Sequence, residues 1–291
     1  MDEKVMLVTG ANSGMGKATV ASLADTGARV VMLCRDKIRG EAALLEVMQQ
    51  NTSRKIDLMF CNLADMKDIR RFTEEFKKKY NRLDVLVNNA GVVTLDRRET
   101  VDGLELQFGV NHIGHFLMTI RLIDIISQAE GSRIVVVGSG AHKAGKIHFD
   151  DYNLTCGYNV ISSYGQAKLA NLLFSRELAK RLSGSGITVN CAHPGAVATS
   201  MGVDRATGFG KTITGILRPF FQTPEQGART ALFLALDQSV SKITGEYFYK
   251  CKIAKASKAS HDENLAKRFW ELSENICGET LEENTPKSIK L

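Results

Sequence analysis

Short apolar runs alternate with stretches of helical spacing from one end of the chain to the other. Val5-Met6-Leu7-Val8, bounded by Gly10 and Asn12, predicts a buried strand over Val5–Thr9. Gly14–Thr26 follows with apolar residues at Met15, Val20, Leu23 and Ala24, a helical repeat. The same alternation predicts strands at Arg29–Leu33, Ile56–Phe60, Val85–Val87, Arg133–Val137, Ile187–Ala192 and Glu246–Tyr249. Helices are predicted at Asp36–Gln50, Asp65–Tyr80, Leu104–Ile126, Ser162–Leu182 and Pro224–Leu236. In the helix over Asp36–Gln50, Ile38, Ala42, Leu45 and Met48 share one side. The strands are apolar throughout, as strands are when helices cover both faces of a sheet. The pattern therefore predicts an α/β fold, a doubly wound parallel sheet of about seven strands with helices on both faces. Right-handed crossovers then place ligands at the carboxyl ends of the strands, beside the first one.

Length adds that the 291 residues suit a single α/β domain over residues 1–278, with no linker or repeat. Residues 279–291 read as a polar tail, expected to be loose. Net charge is +6 and the pI about 8.9, but the charge is spread. The one basic run, Lys77-Lys78-Lys79, follows Glu74-Glu75 and reads as a solvated helix face. Without aromatics among the basic residues, no nucleic-acid partner is expected. Six cysteines stand too far apart for a metal pair or a redox CxxC, which predicts a reducing compartment without disulfides or metal. No signal peptide precedes the first strand and no apolar run approaches about 18 residues. No membrane anchor and a cytoplasmic location are expected.

Candidate chemistry begins in the loop after the first strand, Thr9-Gly10-Ala11-Asn12-Ser13-Gly14-Met15-Gly16. Its glycines let backbone approach a pyrophosphate, and the helix it opens offers free N–H groups and positive potential. A dinucleotide site of the NAD type carries a carboxylate at the end of the second strand. Here that residue is Cys34, followed by Arg35, whose guanidinium can fork onto a 2′-phosphate. NADP(H) is therefore favoured, with NAD(H) still open, and Asp36 weighs slightly against the preference. Asn88-Asn89-Ala90-Gly91 follows the fourth strand, where amides can tie strands together and small residues admit a coenzyme. Tyr164 and Lys168 stand at i, i+4, on one face of a helix. A phenol is a poor base at neutral pH, and a nearby ammonium favours its ionised form.

Taken together these motifs resemble the short-chain dehydrogenase/reductase superfamily over nearly the whole chain. TGANSGMG, NNAG, Asn111 in Asn111-His112-Ile113-Gly114-His115, Ser139 in Val137-Gly138-Ser139, YGQAK and His193-Pro194-Gly195-Ala196-Val197-Ala198-Thr199 occur in the family's order. The resemblance implies a single Rossmann-type domain and a catalytic set of Asn111, Ser139, Tyr164 and Lys168. In it, Tyr164 is the general acid/base and Ser139 holds the substrate oxygen. Lys168 favours the phenolate and holds the nicotinamide ribose, while Asn111 supports a water-linked proton path to Lys168. Coenzyme contacts are implied for Gly10, Asn12, Ser13, Gly14, Met15, Gly16, Arg35, Asn62, Leu63, Asn89, Ala90 and Gly91. The turn of Pro194, Gly195, Val197 and Thr199 joins them, with Thr199 on the carboxamide. The substrate is a small carbonyl or alcohol compound, and a homodimer or homotetramer is expected.

A finer similarity is to the retinol-dehydrogenase-like branch, through Cys34–Gly40 (CRDKIRG), Ala141–Phe149 (AHKAGKIHF), YGQAKLANLLF with ELAKRL, and TPEQGARTALF. Three departures are expected: the membrane anchor typical of the branch's eukaryotic members is not read in this sequence, Asn62 stands where the branch has Asp, and Gly138 where serine is common. Ser200–Gln222 is the least family-like stretch. Its glycines 202, 208, 210 and 215 among Met201, Phe209, Phe220 and Phe221 predict a mobile apolar lid over the substrate. Other readings are an NADP-sensing binding protein without turnover, or a nucleotide-sugar epimerase or dehydratase of the same fold.

Overall fold

In the computed structural model, residues 3–51, 55–195 and 222–286 are described. The apolar runs form strands β1 (Val5–Thr9), β2 (Arg29–Cys34), β3 (Ile56–Phe60), β4 (Val85–Asn88), β5 (Arg133–Val137), β6 (Thr188–His193), β7 (Tyr247–Tyr249) and β8 (Lys252–Ile253). They make one sheet in the order β3-β2-β1-β4-β5-β6-β7-β8. All pairings are parallel except β7 with β8. The expected seven become eight because β8, two exposed residues long, carries no apolar pattern to betray it.

The continuous apolar runs have a simple cause. Successive strand residues point to opposite faces, and here both faces are covered. Leu7, Val31 and Leu33 pack into one core layer with Phe72, Phe116, Leu173 and Trp270. Met6, Val8, Val30 and Met32 pack into the other with Val20, Leu23 and Leu234. The helices behind these layers are α1 (Gly14–Ala24), α2 (Lys37–Gln50), α3 (Met66–Lys79), α4 (Leu106–Phe108), α5 (Gly114–Arg121), α6 (Ile123–Ile126), α7 (Val160–Arg181), α8 (Pro224–Leu236), α9 (Glu263–Cys277) and α10 (Leu281–Asn284). Strand order reverses at β1, which lies between β2 and β4. The crevice at their carboxyl ends is the place where such sheets bind ligands.

Three expectations are corrected. The side of α2 carrying Ile38, Leu45 and Met48 faces solvent, at 79%, 62% and 37% exposure, while Gly40, Ala43 and Val47 are buried. Small residues decide this: an added Cβ at Gly40 would lie 3.2 Å from both Cys34 and Phe60, so α2 rests on β2 and β3 through its slimmest face.

The long helix expected at Leu104–Ile126 is broken. One π-helical turn, Gly109–Ile113, separates α4 from α5, and a further break separates α5 from α6. Gly114 permits the approach of this turn to Leu63, whose carbonyl would be 2.5 Å from an added Cβ.

The polar tail is docked over its first residues. Glu279 accepts from Arg70 and Arg121 at 2.6 Å each, Leu281 is fully buried, and Thr280 and Glu283 cap α10 reciprocally. Apolar burial and a doubly paired carboxylate outweigh the chain entropy that would loosen it. Residues 287–291 lie outside the described residues.

Candidate active site

Thr9 closes β1 and organises the first wall of the crevice. Its hydroxyl oxygen accepts the backbone N–H groups of Asn89 and Ala90 at 2.8 Å, and its carbonyl accepts the Asn89 side-chain amide at 2.7 Å. The NNAG segment is thus sewn to β1. Asn88 adds a bond from its amide to the Thr119 hydroxyl, 2.9 Å away on α5. Gly10 takes a positive φ of 64°, and a Cβ there would meet the Ala90 Cα at 2.9 Å. At Gly16 a Cβ would overlap the Gly10 carbonyl and sit 2.6 Å from the Asn89 amide. Glycine is required at both positions for the loop to close on its neighbours.

A cleft of about 680 Å³ opens over this loop. Its lining includes Gly10, Asn12, Ser13, Gly14, Met15, Gly16, Arg35, Asn62, Leu63, Asn89, Ala90 and Gly91, all expected from the sequence. Ser13 precedes α1 without a side-chain capping bond, so the first-turn N–H groups of α1 face the cleft uncapped. Such a glycine-lined helix start suits a pyrophosphate.

At the end of β2, Asp36 turns its carboxylate onto the Arg39 amide at 2.8 Å and caps α2. One of its oxygens is engaged by the helix, and Asp36 lines the cleft wall together with Arg35 and Arg39. Two guanidiniums, rather than the one expected, flank the start of α2. Burial pushes the Cys34 thiol up to about 12, which keeps this strand-end residue uncharged. Asn62 accepts the Ala64 amide at 3.2 Å, and its backbone N–H is held by Asp68.

The second group of residues gathers on α7 and the loop after β5. Lys168 is 3% exposed and donates to the Val137 carbonyl at 3.0 Å, two residues before Ser139. Its ammonium lies 5.6 Å from the centre of the Tyr164 ring. The Ser139 hydroxyl oxygen accepts the Ala141 N–H at 3.2 Å, which leaves its own proton to give. Gly145 and Gly165 bring the two elements together: a Cβ on Gly165 would stand 3.2 Å from the Gly145 Cα. Backbone meets backbone there, so the turn of α7 bearing Tyr164 lies directly on the serine loop. These two glycines are functional through packing and were not singled out from the sequence.

Asn111 sits within the π-helical turn. Its side chain accepts the Val92 N–H at 2.7 Å and donates to the Val92 carbonyl at 2.9 Å, fixing the chain just after NNAG. Its carbonyl is 3.1 Å from His115 Nδ1, and His115 Nε2 is 2.9 Å from the Thr9 hydroxyl. Burial foremost lowers the His115 pKa to about 4. The neutral ring therefore links Thr9 to Asn111. Pro194 and Val137 share a small cavity with Met15 and Asn89, which places the His-Pro-Gly turn beside the glycine loop. Gly195 follows with a φ of 85°. Val197, Thr199 and the expected lid lie outside the described residues, Gln222 excepted.

The glycine-loop cleft thus follows β1, and the Tyr164 and Lys168 pair lies against the loop after β5. The sequence model described as short chain dehydrogenase matches residues 4–208. The chain belongs to this family. Among curated short-chain dehydrogenases, retinol dehydrogenase 14 of Mus musculus is 41% identical over 296 residues, covering 96% of this chain and 87% of its own. Retinol dehydrogenase 13 of Homo sapiens is 40% identical over 282 residues, covering 94% and 85%. Of solved structures, an uncharacterized protein from Mycobacterium Paratuberculosis superposes with a TM-score of 0.76 at 30% identity, covering 96% of this chain and 94% of its own. The Pseudomonas aeruginosa RhlG/NADP active-site complex superposes with a TM-score of 0.67 at 25% identity, covering 84% and 93%. The short-chain dehydrogenase fold and membership are thus established, and with them an oxidoreductase acting on alcohols or carbonyls.

Proposed function

We propose that the chain is an NADP(H)-dependent oxidoreductase that interconverts an apolar carbonyl compound and its alcohol by Ser-Tyr-Lys chemistry. The observation that carries the reading is the buried Lys168, anchored to Val137 at the end of β5, two residues before Ser139, and lying under the Tyr164 ring. In the reducing direction, Ser139 and Tyr164 donate hydrogen bonds to the substrate oxygen. Tyr164 then delivers its proton, and the Lys168 ammonium stabilises the phenolate left behind. Bound nicotinamide would supply the hydride to the carbonyl carbon. Negative charge growing on oxygen meets donors already in place, the arrangement from which such sites gain rate. The glycine-lined cleft, whose walls no Cβ could enter at Gly10 or Gly16, fits the coenzyme's pyrophosphate.

Support for NADP(H) is the pair Arg35 and Arg39 at the cleft wall, together with a strand-end residue that carries no charge. Support for an apolar substrate is the name shared by the curated relatives, which marks them as acting on retinol. Six unpaired cysteines accord with a reducing compartment such as the cytoplasm. The test is a turnover screen with NADPH and NADH against aldehydes, ketones and quinones, retinaldehyde included, and against the alcohols in reverse. Absorbance of the reduced coenzyme gives the rate. Tyr164→Phe should lower turnover by about 10²–10⁴ with coenzyme affinity close to the parent's. A protein that binds NADPH tightly but turns over no member of the panel would instead be a coenzyme-binding protein.

A further inference from the structure

His142 lies three residues after Ser139 and is 1% exposed. Its Nδ1 is 2.6 Å from the Ser139 carbonyl oxygen, and its Nε2 is 3.1 Å from the backbone nitrogen of Ser257. A backbone N–H can only donate, so Nε2 accepts. The ring proton then sits on Nδ1 and is given to the Ser139 carbonyl, which can only accept. Partners on both sides thus select one neutral tautomer. The ring also stands edge-on to Tyr247 of β7, with centroids 4.8 Å apart. Ser139 is consequently held by its hydroxyl, which accepts from Ala141, and by its carbonyl, which accepts the His142 ring at 2.6 Å and, more weakly at 3.3 Å, the His142 backbone N–H, the one contact of the two that a side-chain substitution leaves in place.

Ser257 belongs to a segment far away in sequence. That segment is itself fastened: Ala254 donates to the Tyr247 carbonyl at 2.8 Å, and Arg176 of α7 donates to the Ser260 carbonyl at 2.8 Å. We propose that His142 is a positioning residue that fixes the catalytic serine through the serine's carbonyl, and that it makes this placement depend on the seating of residues 254–260. The inference deepens the oxidoreductase reading and rests on it.

Acid should release the clamp. A second ring proton would place an N–H at Nε2 against the N–H of Ser257, donor against donor. The charged and titratable groups facing the ring are Lys143 on its own turn, Arg176 of α7, His193 of β6 and Tyr247 of β7. Burial chiefly, with Lys143 and Arg176 adding, holds the His142 pKa below the usual histidine range, against the Ser139 bond that favours the charged form. The clamp therefore holds at neutral pH and fails as pH falls through that lowered value, taking turnover with it.

Two readouts test this in the full-length protein. The first is kinetic. His142→Phe should lower kcat roughly tenfold, the scale of one lost buried hydrogen bond, and leave KM for NADPH within about twofold. His142→Asn keeps a donor near the Nδ1 position and should recover most of that loss. The acid limb of the parent's kcat profile should be absent from both variants. The second readout needs no turnover. With ¹⁵N-labelled histidine and serine, the His142 ring should show protonated Nδ1 and bare Nε2 at pH 7. On acidification the amide signals of Ser139 and Ser257 should move together with the ring. Melting temperature and NADPH affinity report whether each variant is folded, and the parent's titration stands even if none is. Amide signals that ignore the ring's titration, or a His142→Phe protein with the parent's kcat and acid limb, overturn the proposal. A parent without turnover would defeat the oxidoreductase reading alone, since the ring and amide titration would still decide the clamp.

Discussion

Replacing Arg35 and Arg39 with alanine, singly and together, separates the 2′-phosphate site from the rest of the cleft. Both side chains line the cleft at the start of α2 and both are solvent-exposed. Exposure sets the magnitude. A charge-assisted bond to phosphate is worth about 1.5–3 kcal/mol, and water on one side places each arginine near the lower end. That is about tenfold in NADPH affinity for each single variant. The double variant should lose on the order of 10²-fold, less whatever the two guanidiniums share on one phosphate. NADH lacks that phosphate, so its affinity should change by less than about twofold. The NADPH preference should also shrink with added salt, because exposed charges are screened over about 10 Å at 0.1 M ionic strength. Titration calorimetry with both coenzymes, at two salt concentrations, measures all of this. Equal affinity of the parent for NADPH and NADH would refute the reasoning. So would an Arg35→Ala protein that weakens both coenzymes alike, since the side chain would then be shaping the loop rather than meeting a phosphate.

Three other outcomes follow from the packing. Gly16→Ala drives a methyl group into the Gly10 carbonyl and the Asn89 amide; it should cost about 1–3 kcal/mol or more and weaken NADPH, read by thermal melts with and without coenzyme. The buried rings of His112 and His115 have pKa values lowered to about 3 and about 4, mainly by burial. Unfolded histidine titrates near 6.5, so below that pH the unfolded chain binds more protons and stability falls as pH falls. Between pH 7 and 5 the loss should be on the order of 2 kcal/mol for each ring. His112→Phe should remove roughly half of it in urea unfolding, and an unchanged slope would count against the account. Leu281→Ala should cost about 2–5 kcal/mol by emptying a buried site; if deleting residues 279–291 leaves the melting temperature unchanged, the docking of α10 contributes nothing.

The sequence by itself determined the alternation of strands and helices, the crevice beside β1 and most of the residues around it. It could do so because each signal is local. A strand covered on both faces must be apolar at every position, a phosphate loop must carry glycine where backbone approaches, and Tyr164 and Lys168 share a helix face by spacing alone. The helix α9 was equally legible in Ala266, Phe269, Trp270, Ser273 and Cys277, at steps of three and four, but was not anticipated. What only the tertiary structure decided involves partners distant in the chain. The exposed side of α2 is apolar, yet the contact with Cys34 and Phe60 goes to its smallest residues, because Gly40 allows the closest approach. The break in the helix at Asn111 has no local marker; it arises where Gly114 meets Leu63 and the Asn111 side chain takes up both polar groups of Val92. Arg39, His115 and His142 are ordinary residues in sequence. Their roles come from a cleft wall, from Thr9 and from Ser257, each reached only when the sheet has brought separate loops to one edge, where buried polar groups must find partners and take those within reach.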